Sequence, residues 1–149
     1  MYKHILVPTD GSRLSLRAAK EAAALARSLK AKITAVYVME PYMPPLMSEG
    51  ASVRSFARDQ AAYRASATRM ANAALKKVRE AAAAQDISCE AISTTDSRPW
   101  EGILKTAKAK RCDVIVMASH GRGVIAGALL GSETSKVLSN SKTPVLVYR

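Results

Sequence analysis

The segment between Ala118 and Ser132 has the residue types of an anion-binding loop. Its glycines let main-chain N–H groups approach phosphate oxygens without an intervening Cβ; they are Gly121, Gly123, Gly127 and Gly131. A helix that opens at Gly131 and Ser132 would present unpaired N–H groups and the positive end of its dipole to the same anion. The Ser132 hydroxyl could cap that helix or donate to a phosphate, and Arg122 could add a charge-assisted contact. Glycine content alone also fits a tight surface loop, so both interpretations stay open at this point.

A second polar segment, Pro8-Thr9-Asp10-Gly11-Ser12, follows the first apolar run of the chain. In an open parallel sheet, ligands bind outside the carboxyl ends of the strands, where the winding direction reverses. Both this segment and the glycine-rich one follow apolar runs typical of strands. We therefore expect the two segments to meet at one end of the sheet and to form a single site.

Strands and helices are predicted to alternate along the chain. Apolar runs predict strands, and alanine-rich or capped segments predict helices; the strands are 2–8, 32–39, 87–94, 112–119 and 144–149, and the helices are about 12–30, 55–84, 100–109 and 132–140. Ser12 is the predicted N-cap of the first helix, and Ser97 is a candidate N-cap of the third, which has Pro99 at its first position. This alternation favours right-handed crossovers and a parallel sheet with helices on both faces. No linker or repeat divides the chain, so residues 1–149 are predicted to form one domain.

The composition is that of a globular protein. The chain has 149 residues, of which 48% are hydrophobic and 23% charged, and this length suffices to bury a core. No apolar run approaches the roughly 20 residues that span a bilayer, and the start of the sequence lacks the pattern of a signal peptide. Cys89 and Cys112 fall in predicted strands that are not adjacent, so we expect free thiols rather than a disulfide. These features predict a cytoplasmic protein.

The net charge of +11 allows two interpretations. Lys and Arg side chains that neutralise phosphates drive nucleic-acid binding, whereas a solvated basic exterior also attracts small polyanions. The basic residues are scattered through every segment, and only 5% of the residues are aromatic, which leaves few platforms for stacking bases. The sequence therefore favours the second interpretation, and a nucleic-acid partner is not expected.

Familiar catalytic and metal-binding patterns are missing from the sequence. Ser119 and His120 are adjacent, and a nucleophile and its base usually come from separate segments, so no such pair is expected. Two histidines and two distant cysteines give no recognised metal-ligand spacing. No G-x-x-x-x-G-K-[ST] motif marks a P-loop. The sequence therefore assigns no catalytic residue and no metal held by the protein.

Five stretches of the sequence together resemble one known family. They are ILVPTDGS at 5–12, VYVMEP at 36–41, MASHGRG at 117–123, LLGSETSKVL at 129–138 and TPVLVYR at 143–149. Across the whole chain this resembles the universal stress protein family, whose nucleotide-binding members carry Gly, two residues, Gly, nine residues, then Gly-Ser or Gly-Thr. Here the spacing is kept by Gly121 and Gly131-Ser132, and Ala118 stands where the first glycine is found.

The resemblance implies a doubly wound α/β fold with strand order 3-2-1-4-5 and a site for ATP or AMP between strands 1 and 4. The implied nucleotide-binding residues comprise an adenine and ribose wall, a strand end beside the ribose and a phosphate loop; they are Pro8, Thr9, Asp10, Val38, Met117, Ala118, Ser119, His120, Gly121, Arg122, Gly131, Ser132, Glu133 and Thr134. The Asp10 carboxylate would accept hydrogen bonds from the ribose or the adenine amine. The alternatives are a turn or N-cap role for Asp10 and plain core roles for Val38 and Met117.

Two residues bear on whether a nucleotide fits. Ala118 would be accommodated with a negative φ and would otherwise crowd the ribose or phosphate. Glu133 could point to solvent, help to hold a metal on the nucleotide, or repel the phosphates. The leading hypothesis is a nucleotide-binding stress-response regulator or binding module, with Mg²⁺ or Mn²⁺ only as companion of the phosphates and at most slow ATP hydrolysis. The alternatives are a nucleotide-free dimeric scaffold of the same fold and an adenylate-forming enzyme, whose loop motifs are missing.

The last predicted strand, 144–149, ends the chain at an edge of the sheet. It has no internal proline to block pairing, and such an edge invites another strand. The resemblance implies a homodimer joined through this strand, which would cover side chains of Val145, Val147 and Tyr148 that are otherwise exposed. The alternative is a helix or loop that covers the edge.

Overall fold

A five-stranded parallel sheet lies at the centre of the computed structural model, which describes residues 1–44, 53–121 and 130–149. The strands are β1 (His4–Pro8), β2 (Lys32–Met39), β3 (Cys89–Thr95), β4 (Val114–Ala118) and β5 (Val145–Tyr148). All neighbours are parallel, and the order across the sheet is β3-β2-β1-β4-β5. The predicted fold and strand order are confirmed, and the winding reverses between β1 and β4.

Helices cover both faces of the sheet, as predicted; they are α1 (Arg13–Leu29), α2 (Val53–Ala83), α3 (Pro99–Ala109) and α4 (Ser132–Asn140). Successive side chains of a strand point to opposite faces, and β1 shows the consequence. Ile5 packs in a core cluster with Val78 of α2. Leu6 packs in a second cluster with Ile103 of α3 and Val137 of α4. The helices α1 and α2 therefore cover one face, and α3 and α4 cover the other.

The predicted caps of two helices have different outcomes. Ser12 is the N-cap of α1, and its side chain accepts a hydrogen bond from the Ser15 main-chain N–H at 3.1 Å. Pro99 stands at the first position of α3, as predicted. The prediction of Ser97 as N-cap is wrong, because Arg98 holds that position and makes no capping bond with its side chain. Asp96 instead accepts from the Arg98 N–H at 3.1 Å, so the polar turn closes before the helix begins.

Both cysteines are free, as expected. Cys89 begins β3 and Cys112 precedes β4, and the two strands are separated by β2 and β1. Burial, with a smaller contribution from the Asp113 carboxylate, raises the pKa of the Cys112 thiol to about 11. Within the described ranges, no helix has the length and apolar character to cross a membrane.

The edge strand β5 exposes a different side chain from those predicted. Within the described chain β5 pairs only with β4. Leu146 is 44% exposed, whereas Val145, Val147 and Tyr148 are half-buried, so the expectation for those three is wrong. The reason for Tyr148 is a contact with α1, because the Arg17 guanidinium lies 5.5 Å from the centre of its ring and 3.2 Å from its hydroxyl.

Candidate functional site

A cleft of about 320 Å³ opens at the carboxyl ends of β1, β2 and β4, beside the first turn of α4. This is the point where the winding reverses and where such sheets place their ligands. The candidate residues that line the cleft are Pro8, Thr9, Asp10, Val38, Met117, Ala118, His120, Gly121, Gly131, Ser132, Glu133 and Thr134. Ser119 is buried outside the lining, and Arg122, Gly123 and Gly127 lie outside the described residues. The fold thus brings the two predicted polar segments together.

The end of β1 is held by local hydrogen bonds. The Thr9 hydroxyl lies 3.1 Å from the Ser15 hydroxyl and accepts from the Gly11 N–H, also at 3.1 Å. Asp10 accepts from the Ser12 N–H through Oδ1 at 2.9 Å, which confirms the turn role considered for it. Gly11 has a φ of 79°, which favours glycine in this turn. The first polar segment is therefore a turn fixed by hydrogen bonds. Oδ2 of Asp10, the carboxylate oxygen that does not accept from the Ser12 N–H, has a different neighbour.

That neighbour is Gly121, which links the two walls of the cleft. A Cβ placed on Gly121 would lie only 2.7 Å from Oδ2 of Asp10. Real Cβ atoms do not approach an oxygen this closely, so only glycine allows the present position of the carboxylate. The end of β1 and the loop after β4 therefore meet through a carboxylate and a glycine.

Ser119 has a structural role beneath the cleft. Its N–H donates to the Tyr148 carbonyl, and its carbonyl accepts from the Gly131 N–H, each at 2.7 Å. Its hydroxyl is hydrogen-bonded to Nδ1 of His120 at 2.8 Å. The two adjacent side chains are therefore hydrogen-bonded to each other, which sequence reasoning did not anticipate when it expected no nucleophile–base pair from them. With Ser119 only 1% exposed, its hydroxyl is not placed to attack a ligand.

The first turn of α4 offers main-chain donors to the cleft. Gly131 is the N-cap, without a side-chain capping bond, so the prediction of Ser132 as a cap is wrong. Ser132 is the first helical residue, and a cap must precede the helix. The N–H groups of Ser132, Glu133 and Thr134 have no acceptor among the residues that the structure describes. Three free main-chain donors and the positive end of a helix dipole are features that suit an anion.

Two further candidate groups are already engaged inside the protein. The Gly131 N–H donates to Ser119, as described above, and the Thr134 hydroxyl donates to the Ala118 carbonyl at 2.9 Å. Ala118 belongs to β4 and is not among the described residues with positive φ, so the alanine is accommodated there without strain. The replacement of the first motif glycine therefore does not distort the backbone.

Glu133 contacts the neighbouring helix. Its Oε2 accepts from the Trp100 N–H at 2.9 Å, and its Oε1 lies 3.0 Å from Nζ of Lys136. Trp100 is in the first turn of α3, where a carboxylate interacts favourably with the helix dipole. This role was not among the three predicted for Glu133. It places a fixed negative charge at the rim of the cleft.

Sequence reasoning missed part of the cleft wall. The missed lining residues come from α1, from the end of β2 and from α3; they are Ser15, Val36, Tyr37, Glu40, Pro99 and Ile103. The helix α3 packs closely on β2, because a Cβ on Gly102 would lie 2.8 Å from Cγ1 of Val38. A glycine at the third position of the predicted helix 100–109 was the signal in the sequence for this contact.

The charged side chains of the described lining are acidic. They belong to Asp10, Glu40 and Glu133, and none of the described lining residues is Lys or Arg. An anion in this cleft would therefore depend on main-chain N–H groups and the α4 dipole. No group of three or more His, Cys, Asp or Glu residues suited to a metal ion occurs in the described ranges.

The sequence matches the model of the universal stress protein family over residues 1–149. The chain belongs to the universal stress protein family. It is 33% identical to a universal stress protein of Thermus aquaticus, with 100% of each chain covered.

Two solved universal stress proteins share the fold over nearly the whole chain. The protein MJ0577 of Methanocaldococcus jannaschii superposes with a TM-score of 0.80 at 28% identity, over 99% of this chain and 95% of that one. A universal stress protein solved in complex with cAMP superposes with a TM-score of 0.71 at 26% identity, over 99% of this chain and 97% of that one.

Proposed function

We propose that this universal stress protein binds an adenine nucleotide in the cleft between β1 and β4, with residues 1–149 acting as one domain. The observation that supports this most directly is the meeting of Asp10, Gly121 and the first turn of α4 around one cleft. Its volume of about 320 Å³ lies at the lower end of the range for small-molecule sites, which suits a mononucleotide. The family member solved with cAMP supports the choice of ligand class.

The proposed ligand lies with its base and ribose against β1 and β2. Val38 and Ile103 give the wall its apolar surface, and Met117 closes it from β4. Asp10 keeps Oδ2 for a ribose hydroxyl or the adenine amine, since Oδ1 holds the turn. A phosphate then lies at the unpaired N–H groups of Ser132 to Thr134.

The ligand is ATP or AMP, and Mg²⁺ or Mn²⁺ accompanies it only through the phosphates. The protein works by nucleotide-dependent conformation or partner binding and hydrolyses ATP at most slowly, and the buried Ser119 hydroxyl is not placed to attack the nucleotide. It acts in the cytoplasm as a stress-response regulator, where reducing conditions keep both cysteines free.

The protein further forms a homodimer through β5. The support is the position of β5 at the sheet edge and the 44% exposure of Leu146 on it. An edge strand without a partner presents unpaired main-chain groups to another chain.

A nucleotide-free dimeric scaffold of the same fold is the second candidate. Two observations favour it. The Gly131 N–H and the Thr134 hydroxyl already donate hydrogen bonds inside the protein, and Glu133 places a negative charge at the rim of the cleft. The two candidates differ in one measurable property, which is saturable nucleotide binding.

Titration calorimetry with ATP, ADP and AMP tests the proposal on the wild type and two variants of one residue. Ser132→Pro removes the N–H at the first helical position, where proline fits the helix and follows the extended backbone of Gly131. Ser132→Ala removes only the hydroxyl and is the matched control. We expect micromolar binding by the wild type, at least a tenfold loss for Ser132→Pro, and less than a threefold loss for Ser132→Ala.

Unfolding in urea shows whether each variant keeps the native fold. If the wild type binds none of the three nucleotides, the scaffold is the correct function. If a folded Ser132→Pro variant binds as the wild type does, the first turn of α4 does not hold the phosphate.

A further inference from the structure

Helix α2 carries a large share of the positive charge. Its 31 residues include seven Arg or Lys and two acidic residues, a net charge of +5, against +11 for the whole chain. Between residues 54 and 70 only Gln60 and Ala67 are half-buried and all others are exposed, and the first buried residue from position 54 onwards is Ala71. This part of α2 therefore presents its charges to solvent rather than to the sheet.

Four of the seven basic residues of α2 lie on one side of the helix. At 3.6 residues per turn, Arg54, Arg58, Arg69 and Lys76 lie within about 60° of one another around its axis, along about 33 Å. All four are exposed, and small exposed alanines lie between them. These four residues are called the basic face below. Residues that are scattered in the sequence therefore form one row in space.

The basic face is poorly neutralised by the protein itself. Lys76 lies 3.7 Å from Glu80, but Arg54, Arg58 and Arg69 make no ion pair with any residue in the described ranges. On the other side of the sheet two lysines are paired: Lys105 lies 2.6 Å from Asp96, and Lys136 lies 3.0 Å from Glu133. The three arginines of the basic face thus form a row of positive charge that no described residue neutralises.

We propose that the basic face binds the phosphate backbone of double-stranded nucleic acid without reading its sequence. A duplex carries about one negative charge per 1.7 Å of its axis, and arginines that neutralise phosphates release its counterions. A row of arginines separated by alanines lets the helix approach the backbone closely, and an α-helix fits the major groove. The proposed contacts are to phosphates, which position a protein on the duplex without carrying sequence information.

Two other occupants fit the surface less well. The exposed apolar residues of α2 are Phe56, Tyr63 and Met70, which lie on the opposite side of the helix from the basic face. A bilayer that took up these side chains would leave the arginines pointing away from its headgroups. A second copy of the chain would place like charges against each other.

Fluorescence anisotropy with a labelled 20-base-pair DNA duplex tests the proposal on the full chain. At about 50 mM salt we expect a Kd in the range of about 1 to 100 µM, which weakens steeply as salt is added. The variant Arg58→Glu/Arg69→Glu is expected to bind at least tenfold more weakly and to lower the slope of log K against log salt by about 2. The matched control, Lys108→Glu/Lys142→Glu, makes the same change in net charge at two exposed residues outside α2 and is expected to bind within threefold of the wild type.

Three outcomes would overturn the proposal. The first is a wild type that shows no salt-dependent binding to the duplex. The second is an equal loss of affinity in both double variants, which would make the attraction a property of net charge rather than of the basic face. The third is binding to vesicles containing phosphatidylserine with the same dependence on Arg58 and Arg69 while the duplex does not bind, which would make the partner a membrane. Urea unfolding first shows whether each double variant is folded. If Arg58→Glu/Arg69→Glu does not fold, Arg58→Gln/Arg69→Gln is tested in its place.

Discussion

The Glu133 carboxylate in the first turn of α4 accepts a hydrogen bond from the Trp100 N–H in the first turn of α3, at 2.9 Å. The first N–H groups of a helix have no partner within it, and Arg98 offers no side-chain cap to α3. Glu133 supplies this missing acceptor from a residue that also lines the cleft. The position of α3, and with it one wall of the cleft, therefore depends on a side chain of α4.

Replacement of Glu133 tests this link. Glu133→Ala leaves the Trp100 N–H without its acceptor and removes a charge from the end of the α3 dipole, so we expect the free energy of unfolding to fall by about 1 kcal/mol. Glu133→Gln keeps an acceptor oxygen and loses only the charge, so about half of that loss is expected. Urea unfolding measures both values. Equal stability of Glu133→Ala and the wild type would contradict a capping role.

The alternation of strands and helices could be predicted from the residues, and the strand order was implied by the family resemblance. Apolar runs separated by helical segments predict parallel strands, and the polar residues that follow two of them predict the end of the sheet at which a ligand would bind. These features are local and periodic, so they can be recognised in the sequence without knowledge of tertiary contacts.

The partners of single side chains could not be predicted in the same way. Glu133 and Trp100 are 33 residues apart, and their contact depends on how α3 and α4 pack. The failure of Ser97 as a cap has a local cause, because Asp96 and Pro99 fix the turn and the first helical residue on either side of it. The basic face of α2 depends on which side of that helix is buried, and a list of scattered arginines does not contain that information.

Ala118→Gly tests whether the departure from the family motif limits binding. Ala118 lies in β4, where its carbonyl accepts from Thr134 and its φ is unstrained. Glycine in a strand costs backbone entropy, so we expect the variant to be less stable by about 0.5–1 kcal/mol. We expect its affinity for AMP to change by less than threefold in calorimetry. A gain of tenfold would show that the Ala118 methyl group crowds the nucleotide.

Gly102 of α3 tests how closely the wall of the cleft is packed. A Cβ there would lie 2.8 Å from Cγ1 and 3.0 Å from Cγ2 of Val38. Gly102→Ala should lower the free energy of unfolding by about 1–3 kcal/mol, because overpacking moves α3 away from β2. Val38→Ala removes both methyl groups, so the double variant should be more stable than the sum of the two single losses predicts. If the losses in the free energy of unfolding of the two single variants simply add in the double variant, the strain in Gly102→Ala does not come from its contact with Val38.

Cys112 should make stability depend on alkaline pH. Burial raises the pKa of its thiol from 9.0 to about 11, so the native protein keeps the thiol neutral where the unfolded chain ionises it. The raised pKa therefore leaves stability unaffected below pH 9 and lowers it as the pH rises from 9 towards 11. Cys112→Ala is the control, because lysines and tyrosines titrate in the same range and act on both proteins.

The measurement is urea unfolding of the wild type and Cys112→Ala at pH 8 and pH 10.5. A rise in the pKa from 9.0 to about 11 corresponds to a loss of about 3 kcal/mol at most. Part of this loss should appear at pH 10.5 as a smaller difference in the free energy of unfolding between the wild type and Cys112→Ala. The same burial predicts slow alkylation of Cys112 by iodoacetamide at pH 8 in the native protein and fast alkylation in urea, since the thiolate is the nucleophile. A stability difference that stays constant between the two pH values, together with rapid native alkylation, would show that the thiol is open to water.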